Sequence, residues 1–236
     1  MVAMAFCASG GGTTVRSNLL AIKSGRVQNI EPRVLLVDRL CGACDKAHEL
    51  GMPDSDIVML RPRDFPSRKA YGEAIIALFR ERGVEWFGQY GWLTRMPKNV
   101  VRAFSGINQH PSPHWFGGKG MYGKRPHAAA LKFAELVWQR FHRILSHTRV
   151  ICQRMHPEYD RGEVLHYRTV PILVDDAVSL QQRALSIEWQ VQIEALQMLA
   201  NGTLCRSQSY CADPFVHPGE EDLVEQAIQY ALTTET

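Results

Sequence analysis

The sequence predicts an α/β protein, with a mostly parallel sheet carrying helices on both faces. Apolar runs of strand length recur at Met4–Ala8, Arg33–Val37, Ile57–Leu60 and Val84–Tyr90. They read as nearly continuous apolar stretches rather than alternating ones, as strands buried on both faces do. Helical segments stand between them, so the order is β-α-β-α. In such sheets ligands bind beyond the carboxyl ends of the strands, which makes the residues just after each strand the functional candidates.

The first strand runs into Ser9-Gly10-Gly11-Gly12-Thr13-Thr14, and a helix is expected from about Ser17 to Ser24, closed by Gly25. A strand-to-helix glycine run is where backbone N–H groups bind phosphate. This one is not G-x-G-x-x-G, because Val15 stands where the last glycine belongs, and no Gly-Lys-Ser/Thr follows. Asp38 closes the second strand, where a dinucleotide enzyme keeps its ribose-binding acid. A short helix from Cys44 to Leu50 follows. Ser67 can cap a helix to about Arg82, with Tyr71, Ala74, Ile75, Leu78 and Phe79 as its apolar stripe and Gly83 as its stop. Pro97–Phe104 reads as a short helix.

The fifth strand, Gly106–Gln109, ends in Asn108-Gln109-His110-Pro111-Ser112-Pro113. In extended backbone Asn108 and His110 project to one side, and Pro111 holds His110 extended and stops the strand. A donor and an imidazole at a strand end suit chemistry on a carbonyl. A turn histidine satisfied by backbone is the bland alternative. The next segment is loop to Arg125, with Gly117, Gly118, Gly120 and Gly123 among Lys119, Lys124 and Arg125. Pro126 suits the first turn of a helix to about Phe141.

Arg149–Met155 and Val164–Val170 read as a hairpin whose turn holds Asp160. The arginines and histidines from Arg140 to Arg154 are expected on an exposed face and one polar strand side. A long helix begins at Asp176 or Ser179 and ends at Asn201-Gly202, striped by Leu180, Ala184, Ile187, Val191, Ala195 and Leu199. Glu188 lies off that stripe, on what reads as a solvated face. Thr203–Arg206 is a candidate edge strand and Gly219–Leu232 a last helix.

Net charge is +3, from 27 basic and 24 acidic residues, which does not argue for a nucleic-acid binder. Met1–Ala8 is apolar but has no basic n-region and is too short for a bilayer, so a cytoplasmic protein without membrane partners is expected. Its 6 cysteines do not resemble a disulfide framework. Cys41-Gly42-Ala43-Cys44 lacks a second ligand pair for zinc, though a redox pair at a helix start is physically possible.

Together these pieces resemble the folate-dependent formyltransferases, most closely their glycinamide ribonucleotide branch. The matching motifs are Asn108-Gln109-His110-Pro111-Ser112, Tyr159-Asp160-Arg161-Gly162, Ser9-Gly10-Gly11-Gly12 with Ser17-Asn18-Leu19, Ser67-Arg68-Lys69-Ala70-Tyr71, and Glu188. The likeness spans about residues 2 to 206, a catalytic domain with the Rossmann-like formyltransferase fold, a C-terminal hairpin and a long helix. Residues 207–236 are then an extension packed on the same domain. Departures are three extra loop residues at Thr14–Arg16, Trp189 and Gln192-Ile193 after the glutamate, the rebuilt loop at Phe116–Gly123, and Thr94 in place of an arginine.

The resemblance implies formyl transfer from 10-formyltetrahydrofolate to a primary amine, without a metal. Asn108, His110 and Asp160 are the implied catalytic residues. Gly10, Gly11, Gly12, Thr13, Arg68 and Glu188 would bind substrate, with the Lys119–Arg125 loop sharing the phosphate. Gly91, Trp92, Leu93, Thr94, Arg95 and Met96 would bind the folate. The partners implied are small molecules, with the protein a monomer or homodimer. Alternatives are another amine such as an amino-sugar nucleotide, a formylfolate hydrolase, or a nicotinamide-dependent oxidoreductase using the glycine run and Asp38.

Overall fold

A computed structural model describes residues 1–174, 176–212 and 214–234. The strands are β1 (Val2–Ala8), β2 (Ile30–Val37), β3 (Ile57–Met59), β4 (Trp86–Gln89), β5 (Ser105–His110), β6 (His147–Arg154) and β7 (Val164–Pro171). They form one sheet in the order β3-β2-β1-β4-β5-β6-β7. β1 pairs in parallel with β2 and β4, β2 with β3, and β4 with β5, while β6 and β7 form an antiparallel hairpin. The expected α/β class, parallel core and hairpin are all present.

The chain divides into two compact units. One comprises Met1–Gln109, Arg154–Pro157 and Gln192–Leu204, the other His110–Gln153, Glu158–Val191 and Cys205–Thr236. In the first unit, β1 is buried from Ala3 to Ala8, which its unbroken apolar sequence requires. Helices α1 (Thr13–Lys23), α2 (Gly42–Glu49), α3 (Arg68–Glu81) and α4 (Lys98–Ala103) connect the strands. The Ser67 hydroxyl accepts from the Ala70 N–H at 3.1 Å, capping α3 as its sequence predicts. Tyr71, Ile75 and Phe79 recur every four residues on α3 and are buried against Phe87, Val34 and Leu36 in one apolar cluster.

The second unit is built on α5 (Arg125–Phe141) and α8 (Glu221–Thr233). Phe116, Phe133 and Phe215 pack ring against ring at the centre of its main apolar cluster. The long helix α6 (Ala177–Ala200) and the short α7 (Gln208–Ala212) complete the fold.

Four local expectations need correction. Helix α1 starts at Thr13, so Thr14–Arg16 are its first turn and not a loop insertion. Gly12, at φ +70° in the left-handed region, makes the turn into the helix. Thr203–Arg206 is not a strand; the backbone there runs irregularly from α6 to α7. Arg149 is not on a polar strand side. It is 1% exposed, with its guanidinium over the rings of Tyr167, Tyr210 and Phe215 at 5.2, 5.1 and 5.9 Å. Two of those rings belong to the segment after α6, so no local pattern around Arg149 reveals the box. Glu188 is 6% exposed rather than solvated, whereas Ile187 is only partly buried. The buried stripe of α6 thus includes position 188 in place of 187, as Ala184 and Glu188 lie one turn apart.

Candidate functional site

In the first unit, β1 and β4 are neighbours whose chains leave in different directions, the switch point of an open α/β sheet. Beyond β1 lies the glycine run. Added Cβ atoms at Gly10 and Gly11 would meet nothing within 4 Å, so backbone there is open to a ligand. Gly12 is different, since a Cβ would fall 2.3 Å from the Cα of Ala43 at the start of α2. The run is therefore both a turn and a seat for α2. Asn18, matched by resemblance to the same loop, lies inside α1. It is fully buried, and its amide has no partner among the described residues.

Beyond β4 the segment from Gly91 to Met96 is held to the end of β1. The Ser9 N–H donates to the Gly91 carbonyl at 3.1 Å, and the Leu93 N–H donates to the Ser9 hydroxyl at 3.0 Å. Trp92 and Met96 are buried in the apolar cluster, whereas Leu93 is 45% exposed. Thr94, which replaces an arginine of the resembling family, donates to an Asp38 oxygen. Arg39 grips both Asp38 oxygens at 3.0 Å. Burial pushes the Asp38 carboxyl up, but hydrogen bonds from Arg39, Thr94 and Ser9 outweigh it and hold it below the usual carboxylate range. Asp38 Oδ2 thus ties β2 to the 91–96 segment through Thr94 while Arg39 occupies both oxygens, which engages the acid that a nicotinamide enzyme would offer to ribose. Arg95 donates to the Pro157 carbonyl at 3.0 and 2.5 Å. Arg68, at the first position of α3, is exposed.

In the second unit, His110 is 3% exposed. Its Nδ1 lies 3.7 Å from Asp160 Oδ1, and its Nε2 lies 3.4 Å from the Ser112 hydroxyl. The Ser112 hydroxyl donates to the Pro113 carbonyl at 3.3 Å, leaving its oxygen to accept from His110. Both ring nitrogens therefore face acceptors. The expected His110–Asp160 pairing forms even though the residues lie in different segments. Asn108 stands two positions before His110 on β5 and so on the same face of that strand.

Two further histidines surround this pair. His114 Nδ1 is 2.9 Å from the Tyr210 hydroxyl, and burial, with smaller contributions from the charges of His110 and Arg161, lowers its pKa to about 4. His127, fully buried in the first turn of α5, is lowered to about 4 by burial and then by His110. Its ring nitrogens have no partner among the described residues. The charged loop expected to hold phosphate is partly committed elsewhere, because Arg125 donates to the carbonyls of Thr234 and Gly120, each at 3.2 Å. Gln153 and Gly118, which both donate to Asp160 at 2.9 Å, had no counterpart in the sequence reading. The one available signal was a glutamine directly after the apolar run Val150-Ile151-Cys152 of a strand.

The chain has an open, mostly parallel sheet with an Asn-x-His strand end and an aspartate near the histidine, and residues 2–196 match the family described as "Formyl transferase", so it belongs to the formyl transferase family. It is 31% identical over 204 residues to a chloroplastic phosphoribosylglycinamide formyltransferase of Vigna unguiculata, covering 83% of this chain and 60% of that protein. The corresponding protein of Arabidopsis thaliana is 26% identical over 210 residues, covering 87% of this chain and 66% of its own. The chain thus spans less than two thirds of the length of these plant relatives. Among solved structures, glycinamide ribonucleotide transformylase 1 from Symbiobacterium toebii superposes with a TM-score of 0.72 at 21% identity, over 88% of this chain and 92% of that one. The Coxiella burnetii phosphoribosylglycinamide formyltransferase gives 0.70 at 21%, over 85% and 88%. These likenesses show the fold. Among the described residues, no helix is long and apolar enough to cross a membrane.

Proposed function

We propose that the protein transfers a formyl group from 10-formyltetrahydrofolate to the primary amine of glycinamide ribonucleotide, in purine biosynthesis. The observation that carries this is the 3.7 Å approach of Asp160 to His110 at the end of the Asn-x-His strand. The plant relatives' activity supports the choice of amine. Six free cysteines support a reducing compartment such as the cytoplasm.

The neutral amine attacks the formyl carbon, and charge develops on the formyl oxygen. The Asn108 amide and the His110 ring N–H donate to that oxygen, one such donor being worth about 3 kcal/mol. The 3.4 Å contact of His110 Nε2 with Ser112 is long for a hydrogen bond and is readily exchanged for a substrate oxygen. The Asp160 carboxylate, 3.7 Å from Nδ1, faces the ring as a negative charge, and with a water it moves the proton from the attacking nitrogen to the leaving folate nitrogen. The glycine run with Thr13 and Arg68 binds phosphate, buried Glu188 holds the amine or ribose end, and the 91–96 segment holds the pterin.

His110→Ala and Asp160→Asn are each expected to lower formyl transfer at least about a hundredfold. The assay follows 10-formyltetrahydrofolate consumption with glycinamide ribonucleotide, an amino-sugar nucleotide and water as parallel acceptors. Near-normal turnover in either folded variant refutes the assignment, and preference for another acceptor reassigns the substrate.

A further inference from the structure

Asp160 is not placed by its turn alone. Its φ is +52°, in the left-handed region that an aspartate tolerates in a turn, so the turn admits the backbone while other contacts direct the carboxylate. One support is backbone. Gly118 N–H donates to Oδ2 at 2.9 Å, and a Cβ at Gly117 would fall 2.3 Å from the Asp160 Cβ, so only glycine admits this approach. Another support is a side chain. Gln153 Nε2 donates to Oδ1 at 2.9 Å, and Oδ1 is the same oxygen that approaches His110 Nδ1 at 3.7 Å.

Gln153 is built for this contact. It is 1% exposed, and it sits where the β6–β7 register shifts, between Cys152 and Gln153. Its Oε1 is buried without a partner among the described residues, so the amide spends one polar atom to direct the other at the carboxylate. Turning the amide over would set Oε1 against a carboxylate oxygen, which fixes its orientation.

We propose that Gln153 is a positioning residue for the Asp160 carboxylate, holding Oδ1 toward the His110 ring. This rests on the assignment of Asp160 to formyl transfer. Gln153 touches no reacting atom. Its work is to limit the carboxylate to the rotamer in which it can meet the imidazole and the proton-carrying water. A misplacement of about 1 Å in such a group is enough to cost on the order of a hundredfold in rate.

The test measures kcat and both KM values for 10-formyltetrahydrofolate and glycinamide ribonucleotide in four proteins: the parent, Gln153→Met, Asp160→Asn and the double variant. Methionine keeps the volume and removes the donor. Gln153→Met is expected to lower kcat at least about tenfold with both KM values within about twofold, while a further Gln153→Met on top of Asp160→Asn changes kcat less than about twofold. Should Gln153→Met fold poorly, Gln153→Glu keeps the shape and sets like charges together, and it is expected to lower kcat further with the same loss of effect in the Asp160→Asn background. Equal losses from Gln153→Met in both backgrounds would mean a structural role and overturn the proposal, as would an unchanged kcat. If Asp160→Asn alone retains near-parent turnover, the reading of Asp160 itself fails, and that outcome is distinct from a silent Gln153 beside a damaged Asp160→Asn.

Discussion

At the scale of single residues, burial decides which side chains carry chemistry and which carry only a cost. His127 and His114 are both held neutral by burial, near a pKa of about 4 against an ordinary 6.5. In the unfolded chain each takes up a proton as the pH falls through about 6.5, while the folded protein refuses it until about 4. Their effect on stability is therefore absent above the unfolded value and grows as the pH drops across that window. Urea unfolding measured between pH 7 and pH 4 is expected to show a stability loss that His127→Leu reduces by up to about 3 kcal/mol, the size implied by a shift from 6.5 to about 4. An identical pH dependence in that variant would show that His127 titrates normally. Gln153 and Glu188 carry the same lesson. A polar residue in an apolar strand or helix stripe reads from sequence as a misfit, and the fold reveals what it faces or that it is buried.

At the scale of elements, the loop between β5 and α5 is held from the far end of the chain. Arg125 bonds the Thr234 and Gly120 carbonyls, and a Cβ at Gly120 would sit 3.1 Å from Leu232 of α8. That loop supplies the Gly118 N–H to Asp160. Arg125→Ala removes charged hydrogen bonds of a kind worth about 1.5–3 kcal/mol. Amide exchange across residues 117–123 is expected to quicken at least about tenfold in that variant, followed by mass spectrometry, and unchanged protection would show that the loop is ordered by its own packing. In the first unit, Ser67→Ala removes the cap of α3 and is expected to cost about 1 kcal/mol, read as a shift in denaturation midpoint.

At the scale of the whole molecule, residues beyond α6 are part of the core of the second unit. Phe215, Val216, Leu223, Val224, Ala227 and Ala231 are buried in the same cluster as Phe116 and Phe133. Phe215 and Tyr210 also form two walls of the Arg149 box. A protein ending at Gly202 is expected to lose cooperative melting of the second unit, because large apolar side chains lose about 3–5 kcal/mol apiece when their packing is removed. Calorimetry checks this, and an unaltered melt would show that the extension is dispensable. Saturating 10-formyltetrahydrofolate at about a hundred times its Kd should stabilise the intact protein by about 2.7 kcal/mol, and no shift in melting would remove folate as the co-substrate.

Local pattern alone determined the α/β class, the parallel strands of the first unit, the hairpin, the capped helix at Ser67 and the strand end bearing Asn108 and His110. Each depends on periodicity, turn chemistry or capping within a few residues, and those are short-range properties of the chain. The start of α1 at Thr13 escaped that reading because an unusual turn, Gly12 in the left-handed region against Ala43, is set by close packing with α2. The partnerships of Asp160 with His110, Gln153 and Gly118, the closure of Asp38 by Thr94 and Arg39, the burial of Glu188 and the box around Arg149 were decided by tertiary structure. They join residues far apart in sequence, and distance-dependent hydrogen bonding and burial exist only once the chain has brought those residues together.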